Sequence, residues 1–61
     1  MFELTRNAAT IARSDSGKEL RRVVEVIDPA ADDEWNRTDD GALMAVVGET
    51  IYEIHEISCE G

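Results

Sequence analysis

The chain has 61 residues, 43% hydrophobic and 33% charged, with six Lys or Arg against fourteen Asp or Glu and a formal net charge of −8 at pH 7. One domain over residues 1–61 is expected, and a domain of about 60 residues buries only about 60% of its unfolded surface, which argues for a binding surface over an enzyme with a deep cleft. The longest apolar run, residues 42–47, is far short of the roughly 20 residues a membrane span needs, and Met1 to Arg6 carries no basic-then-apolar leader pattern.

Phe2-Glu3-Leu4-Thr5-Arg6 alternates apolar with polar, as a half-buried strand requires. Asn7-Ala8 then turns the chain, because Asn tolerates the left-handed conformation of tight hairpins, and Ala9 to Arg13 returns as a second strand with Ile11 facing in. A helix over Leu4, Ala8, Ile11 and Ala12 competes, but Asn7 and Thr10 interrupt it and Phe2 falls outside it. Ser16-Gly17-Lys18-Glu19 fits the capping box S-x-x-E and marks a helix start. Leu20, Val23, Val24 and Ile27 follow at i, i+3, i+4 and i+7 as an apolar stripe. Asp28-Pro29 ends that helix, since the residue before proline disfavours the helical region. The valines leave a strand over residues 22–28 as the alternative.

An acidic connection over residues 30–34 has room for one helical turn, and Trp35 to Thr38 reads as a short strand before the turn signal Asp39-Asp40-Gly41. The run Ala42 to Val47 suits a central strand, Gly48-Glu49 a two-residue turn, and Thr50 to Ile57 a returning strand. Ile51, Ile54 and Ile57 recur every three residues, so a final helix with Glu49, Glu53, Glu56 and Glu60 along one stripe is the competing reading. The expected fold is α+β: one helix over about 17–28 packed on an antiparallel sheet of four to five strands, in the order ββαββ(β).

The charge is unevenly placed. Residues 1–31 balance Arg6, Arg13, Lys18, Arg21 and Arg22 against Glu3, Asp15, Glu19, Glu25 and Asp28. Residues 32–61 set Arg37 alone against Asp32, Asp33, Glu34, Asp39, Asp40, Glu49, Glu53, Glu56 and Glu60, so the whole −8 belongs to the second half. Such asymmetry suggests an interaction surface, whereas charge serving only solubility is spread evenly.

Chemistry-bearing groups are few. His55 is the single histidine, and one His with Cys59 falls short of the four ligands zinc takes, so no metal site is expected. On a strand, Glu53 and His55 share a face while Glu56 takes the other. The lone Cys59 has no internal disulfide partner, which agrees with a reducing compartment. Ser14, Ser16 and Ser58 lack a base and an orienting group beyond this one His, so no catalytic residues are assigned. The acidic pairs do not match the spacing of an EF-hand loop, and Gly17, Gly41 and Gly48 are too isolated to cradle phosphate, so no cofactor is expected. One basic residue in the acidic half opposes direct nucleic-acid binding.

Carboxylates at intervals comparable to phosphate spacing can occupy a basic groove built for nucleic acid, releasing counterions from its Lys and Arg as DNA does. In size, in charge and in the clusters Asp32-Asp33-Glu34 and Asp39-Asp40 with Glu49, Glu53, Glu56 and Glu60, the chain resembles the small acidic phage proteins that inhibit host defence, including anti-CRISPR inhibitors that mimic DNA. The resemblance implies a non-enzymatic, monomeric inhibitor in the cytoplasm of the host. Its partner is then a protein with a basic nucleic-acid-binding groove, such as a CRISPR effector subunit. The acidic, lysine-poor composition also fits a salt-adapted structural or adaptor domain, an alternative that the neutral first half weighs against.

Overall fold

The structure, a computed structural model, describes residues 1–57. The chain runs β1 (Phe2–Arg6), β2 (Ala9–Ser14), α1 (Gly17–Ile27), a 3₁₀ turn (Pro29–Asp33), β3 (Trp35–Arg37), β4 (Leu43–Val47) and β5 (Thr50–Glu56). The five strands form one antiparallel sheet in the order β2-β1-β5-β4-β3. This is the α+β fold the sequence predicts, with three strands after the helix, and the returning segment at residues 50–56 is a strand rather than the competing helix. No helix among the described residues is long and apolar enough to cross a membrane.

Each turn takes its conformation from its residues. Asn7 and Ala8 both have positive φ, 52° and 71°, as the two-residue hairpin turn between right-twisted strands demands. The Asn7 side-chain Oδ1 accepts from the Ile51 N–H at 2.9 Å while the Asn7 N–H donates to the Ile51 carbonyl at 2.8 Å. The β1–β2 turn is thereby clamped to β5. Gly48 holds the left-handed position between β4 and β5, at φ 61°.

The start of α1 is capped as predicted on one side and differently on the other. Ser16 Oγ accepts from the Glu19 N–H at 3.4 Å. The Glu19 carboxylate does not return to the Ser16 N–H directly; Ser14 stands between them, its Oγ accepting from that N–H at 3.1 Å and donating to Glu19 Oε2 at 2.9 Å. The last residue of β2 thus completes the cap of the helix that follows. Asp28 ends α1, its N–H donating to the Val24 carbonyl at 2.7 Å.

The core lies between one face of the sheet and the helix. Leu4, Leu20, Val24, Ala31, Ala45, Tyr52 and Ile54 are buried there, with Phe2, Ala12, Trp35, Leu43 and Val47 packed around them. The helix lies over β2, β1 and β5, and the 3₁₀ turn covers β4. Two expectations need correction. Within the predicted stripe only Leu20 and Val24 are buried; Val23 and Ile27 are exposed, because the helix sits turned so that Gly17, Arg21 and Asp28 flank the buried pair. Ile11 is likewise exposed. A bulge on β2, where Leu4 pairs Ala12 and Thr5 pairs Thr10, leaves Ile11 as the extra residue and out of the core.

Candidate partner-binding surface

The sheet order turns the asymmetry of the sequence into one of space. The neutral first half supplies β2, β1 and α1; the acidic second half supplies β5, β4 and β3, and the 3₁₀ turn spans the boundary, with Pro29 to Ala31 on one side and Asp32 and Asp33 on the other. Within the acidic half the carboxylates fall into three groups.

The first group, Asp32, Asp33 and Glu34, sits on and just after the 3₁₀ turn. Pro29 opens this turn and Ala31 is its fully buried anchor, so the backbone is pinned to the core and the three acids stand exposed. Asp32 also reaches back to α1: hydrogen bonding to Asp32, then burial and the Asp32 charge, push the Glu25 carboxyl above its ordinary value, against the pull of Arg21 and Arg22.

The second group gathers at the end of the sheet where β5 finishes. The β3–β4 loop is built on Thr38, whose hydroxyl donates to Asp40 Oδ1 and accepts from the Ala42 N–H at 3.1 Å. Gly41, at φ 88°, closes the loop by donating its N–H to the Thr38 carbonyl at 3.0 Å. The Thr38 hydroxyl and then the Ala42 backbone hold the Asp40 carboxyl below its ordinary value. Asp39 is exposed beside it. Asp40, Gly41 and Ala42 line an open polar depression with Glu53, His55 and Glu56.

At this depression the sheet adds a residue from the neutral half. Glu3 on β1 pairs His55 on β5 and Arg13 on β2 in register. His55 Nε2 is 3.1 Å from Glu3 Oε1, and its Nδ1 is 3.2 Å from Glu53 Oε1, within ion-pair range but off the line a hydrogen bond needs. Arg13 Nε donates to Glu3 Oε2 at 3.2 Å. Burial works to raise the Glu3 carboxyl, but hydrogen bonds from Thr10 and Arg13 and the charges of Arg13 and His55 outweigh it, so Glu3 lies below its ordinary value. His55 and Glu53 share the open face of the sheet, as the strand period predicts; Glu56, in register with Phe2, lies on the helix side.

The third group is Glu49 alone, exposed on the β4–β5 turn. Val46 and Ile51 pair across β4 and β5 close to it, both exposed. Glu60, the ninth predicted acid, and Cys59 lie outside the described residues. The fold therefore brings Asp40, Glu53 and Glu56 together, sets Asp32, Asp33 and Glu34 on a separate anchored turn, and leaves Glu49 on its own. Sequence spacing did not point to Glu3: it lies 52 positions from His55, and only the β1–β5 pairing joins them.

Among the described residues no group of three or more His, Cys, Asp or Glu side chains is arranged to hold a metal ion. No family model matches the chain, and neither a curated protein nor a solved structure matches it.

Proposed function

We propose that this protein is a non-enzymatic acidic binding module that occupies the basic nucleic-acid-binding groove of a partner protein, in the manner of anti-CRISPR DNA mimics. The observation that carries the reading is the segregation of charge. All of the −8 resides in residues 32–61, and the described part of that half forms β3, β4 and β5 on one side of the sheet and the acidic end of the 3₁₀ turn. The carboxylates of that side stand on short, hydrogen-bonded or buried anchors, namely Ala31 under the 3₁₀ turn and Thr38 in the β3–β4 loop. Held acids lose less freedom on docking than acids on a loose tail.

The partner is a protein whose nucleic-acid-binding groove is lined with Lys and Arg, such as a CRISPR effector subunit, met in the cytoplasm of the host.

The test is capture of partners from the native host on the immobilised protein, followed by elution with single-stranded and with duplex DNA. The comparison variant reverses Asp32, Asp33, Asp39 and Glu49 to Lys and spares Asp40, which Thr38 holds in the loop. Captured protein released by DNA, and lost on charge reversal, is expected. Capture that survives both challenges overturns the reading.

A further inference from the structure

The first half of the chain leaves its own surface uncovered. Val26 is 82% exposed, Ile27 54% and Val23 39%, and their spacing places all three along one flank of α1. That flank is the one beside β2: Val23 and Leu20 line a groove with Ala12, Arg13 and Ser14 of the strand. β2 is an edge strand, paired with β1 alone, and carries Ile11 at 45% exposure. An apolar strip next to an unpaired strand edge is what a soluble domain covers.

We propose that a second copy of this chain covers it, in a two-fold dimer that packs the α1 flanks antiparallel with the β2 edges facing one another across the axis. Charge selects both the occupant and the site. A two-fold contact sets each surface against itself, so a single-sign rim repels. The rim of the α1–β2 strip carries both signs, Arg13 and Arg22 with Glu19, within a half of the chain whose formal charge is zero. The other exposed apolar pair, Val46 with Ile51, lies near Glu49 and Glu53, and the β3 edge is flanked by Asp32, Asp33, Glu34, Asp39 and Asp40. Either of those faces would bring carboxylate onto carboxylate. Antiparallel helices also oppose their dipoles favourably.

The bulge at Ile11 interrupts regular strand pairing along β2, so the helix flanks carry the contact more than strand hydrogen bonds do. The four exposed aliphatic side chains of each copy remove about 400 Å² a side from water, and the rim residues Arg13, Glu19 and Arg22 extend the contact towards the low end of specific association. The dimer points its two acidic halves outward, and the inference stands apart from the partner reading because it uses only residues of the first half.

Sedimentation from about 1 to about 200 µM, bracketing a Kd on the order of 10 µM, tests it. The wild type is expected to pass from monomer to dimer across that range. Val26→Glu is expected to weaken dimerisation at least about tenfold with an unchanged thermal midpoint at monomeric concentration, since Val26 touches water in the single copy. Val46→Glu, on the acidic side, is expected to leave the dimer intact. A wild type that stays monomeric throughout, or a dimer that survives Val26→Glu, overturns the proposal.

Discussion

The Tyr52 hydroxyl donates to Asp28 Oδ2 across 3.3 Å, tying the central strand β5 to the residue that ends α1. Tyr52 is otherwise buried in the core, so its ring packs and only its tip is polar. Replacing it with Phe keeps the ring and removes the bond. Tyr52→Phe is expected to cost about 1 kcal/mol, read as a lower urea midpoint with an unchanged slope. An unchanged midpoint means that water serves Asp28 equally well.

Two opposite substitutions are expected to stabilise the fold. Ala8 holds φ 71°, a left-handed position that costs a residue with a Cβ about 1 kcal/mol, and Ala8→Gly relieves it. Gly17 opens α1, and a Cβ there meets Phe2 Cδ1 at 3.5 Å and Ile54 Cγ2 at 3.7 Å, which is ordinary contact. Gly17→Ala therefore adds helix propensity and a little buried area without a clash. Thermal midpoints are expected to rise by a few degrees for each and to add in the double variant, since the sites share no partner. A fall for Gly17→Ala would mean that the helix cannot accommodate a methyl against Phe2.

Much of this architecture was legible because local signals agreed with one another. Ser16 and Glu19 mark the helix start, Asp28-Pro29 its end, Asn7-Ala8 and Gly48 the hairpins, and alternation the strands. What escaped was the placement of small residues and the rotation of the helix. Ala31, Ala42 and Ala45 are core because the backbone passes close to its neighbours there, and no periodicity distinguishes a buried alanine from a solvated one. The stripe from Leu20 to Ile27 has four apolar positions, but the interface takes only two of them, a choice set by Gly17 lying over Phe2 and Ile54. Ile11 leaves the core because a bulge shifts the alternation by one residue, and a sequence pattern assumes none. Of the candidate site, composition found the acidic half; the cluster of Glu3 with His55 and Glu53 needed the strand register.

The carboxylates also set a pH dependence with two opposed parts. Glu25 is raised above its ordinary 4.5 by Asp32, so the stability linked to it is present below that value and is lost as pH rises through the folded one. Glu3 and Asp40 are lowered, so the stability linked to them is present above 4.5 and 3.8 and is lost as pH falls through their folded values. Asp32→Asn removes the repulsion and is expected to raise the thermal midpoint at pH 7, a gain that vanishes below the ordinary value of 4.5, where Glu25 is protonated in either protein. Glu3→Gln is expected to lower the midpoint at pH 7 and flatten its fall on acidification. Midpoints measured at half-unit steps from pH 3 to pH 7 decide both, and an Asp32→Asn gain that persists in acid excludes the carboxyl pair as its source.

Folding in dilute salt separates the binding module from the salt-adapted domain. A surface adapted to salt is acidic throughout and its fold depends on molar salt, whereas here β1, β2 and α1 come from a half of zero formal charge and the helix packs on those two strands and β5. Repulsion is confined to the acidic side, where about 10 mM salt leaves a screening length near 30 Å and about 0.1 M shortens it to near 10 Å. The chain is expected to be folded by circular dichroism at the lower concentration, with a midpoint that rises by roughly 5 °C on reaching the higher one and then levels off. Variants that neutralise Asp33, Asp39 and Glu49 should reach the same plateau without added salt, because these three carboxylates are exposed and no hydrogen bond to their side chains is seen among the described residues. A chain that is unfolded in dilute buffer and needs molar salt would assign the acidity to hydration of the surface, and the charge segregation would lose its meaning as a docking face.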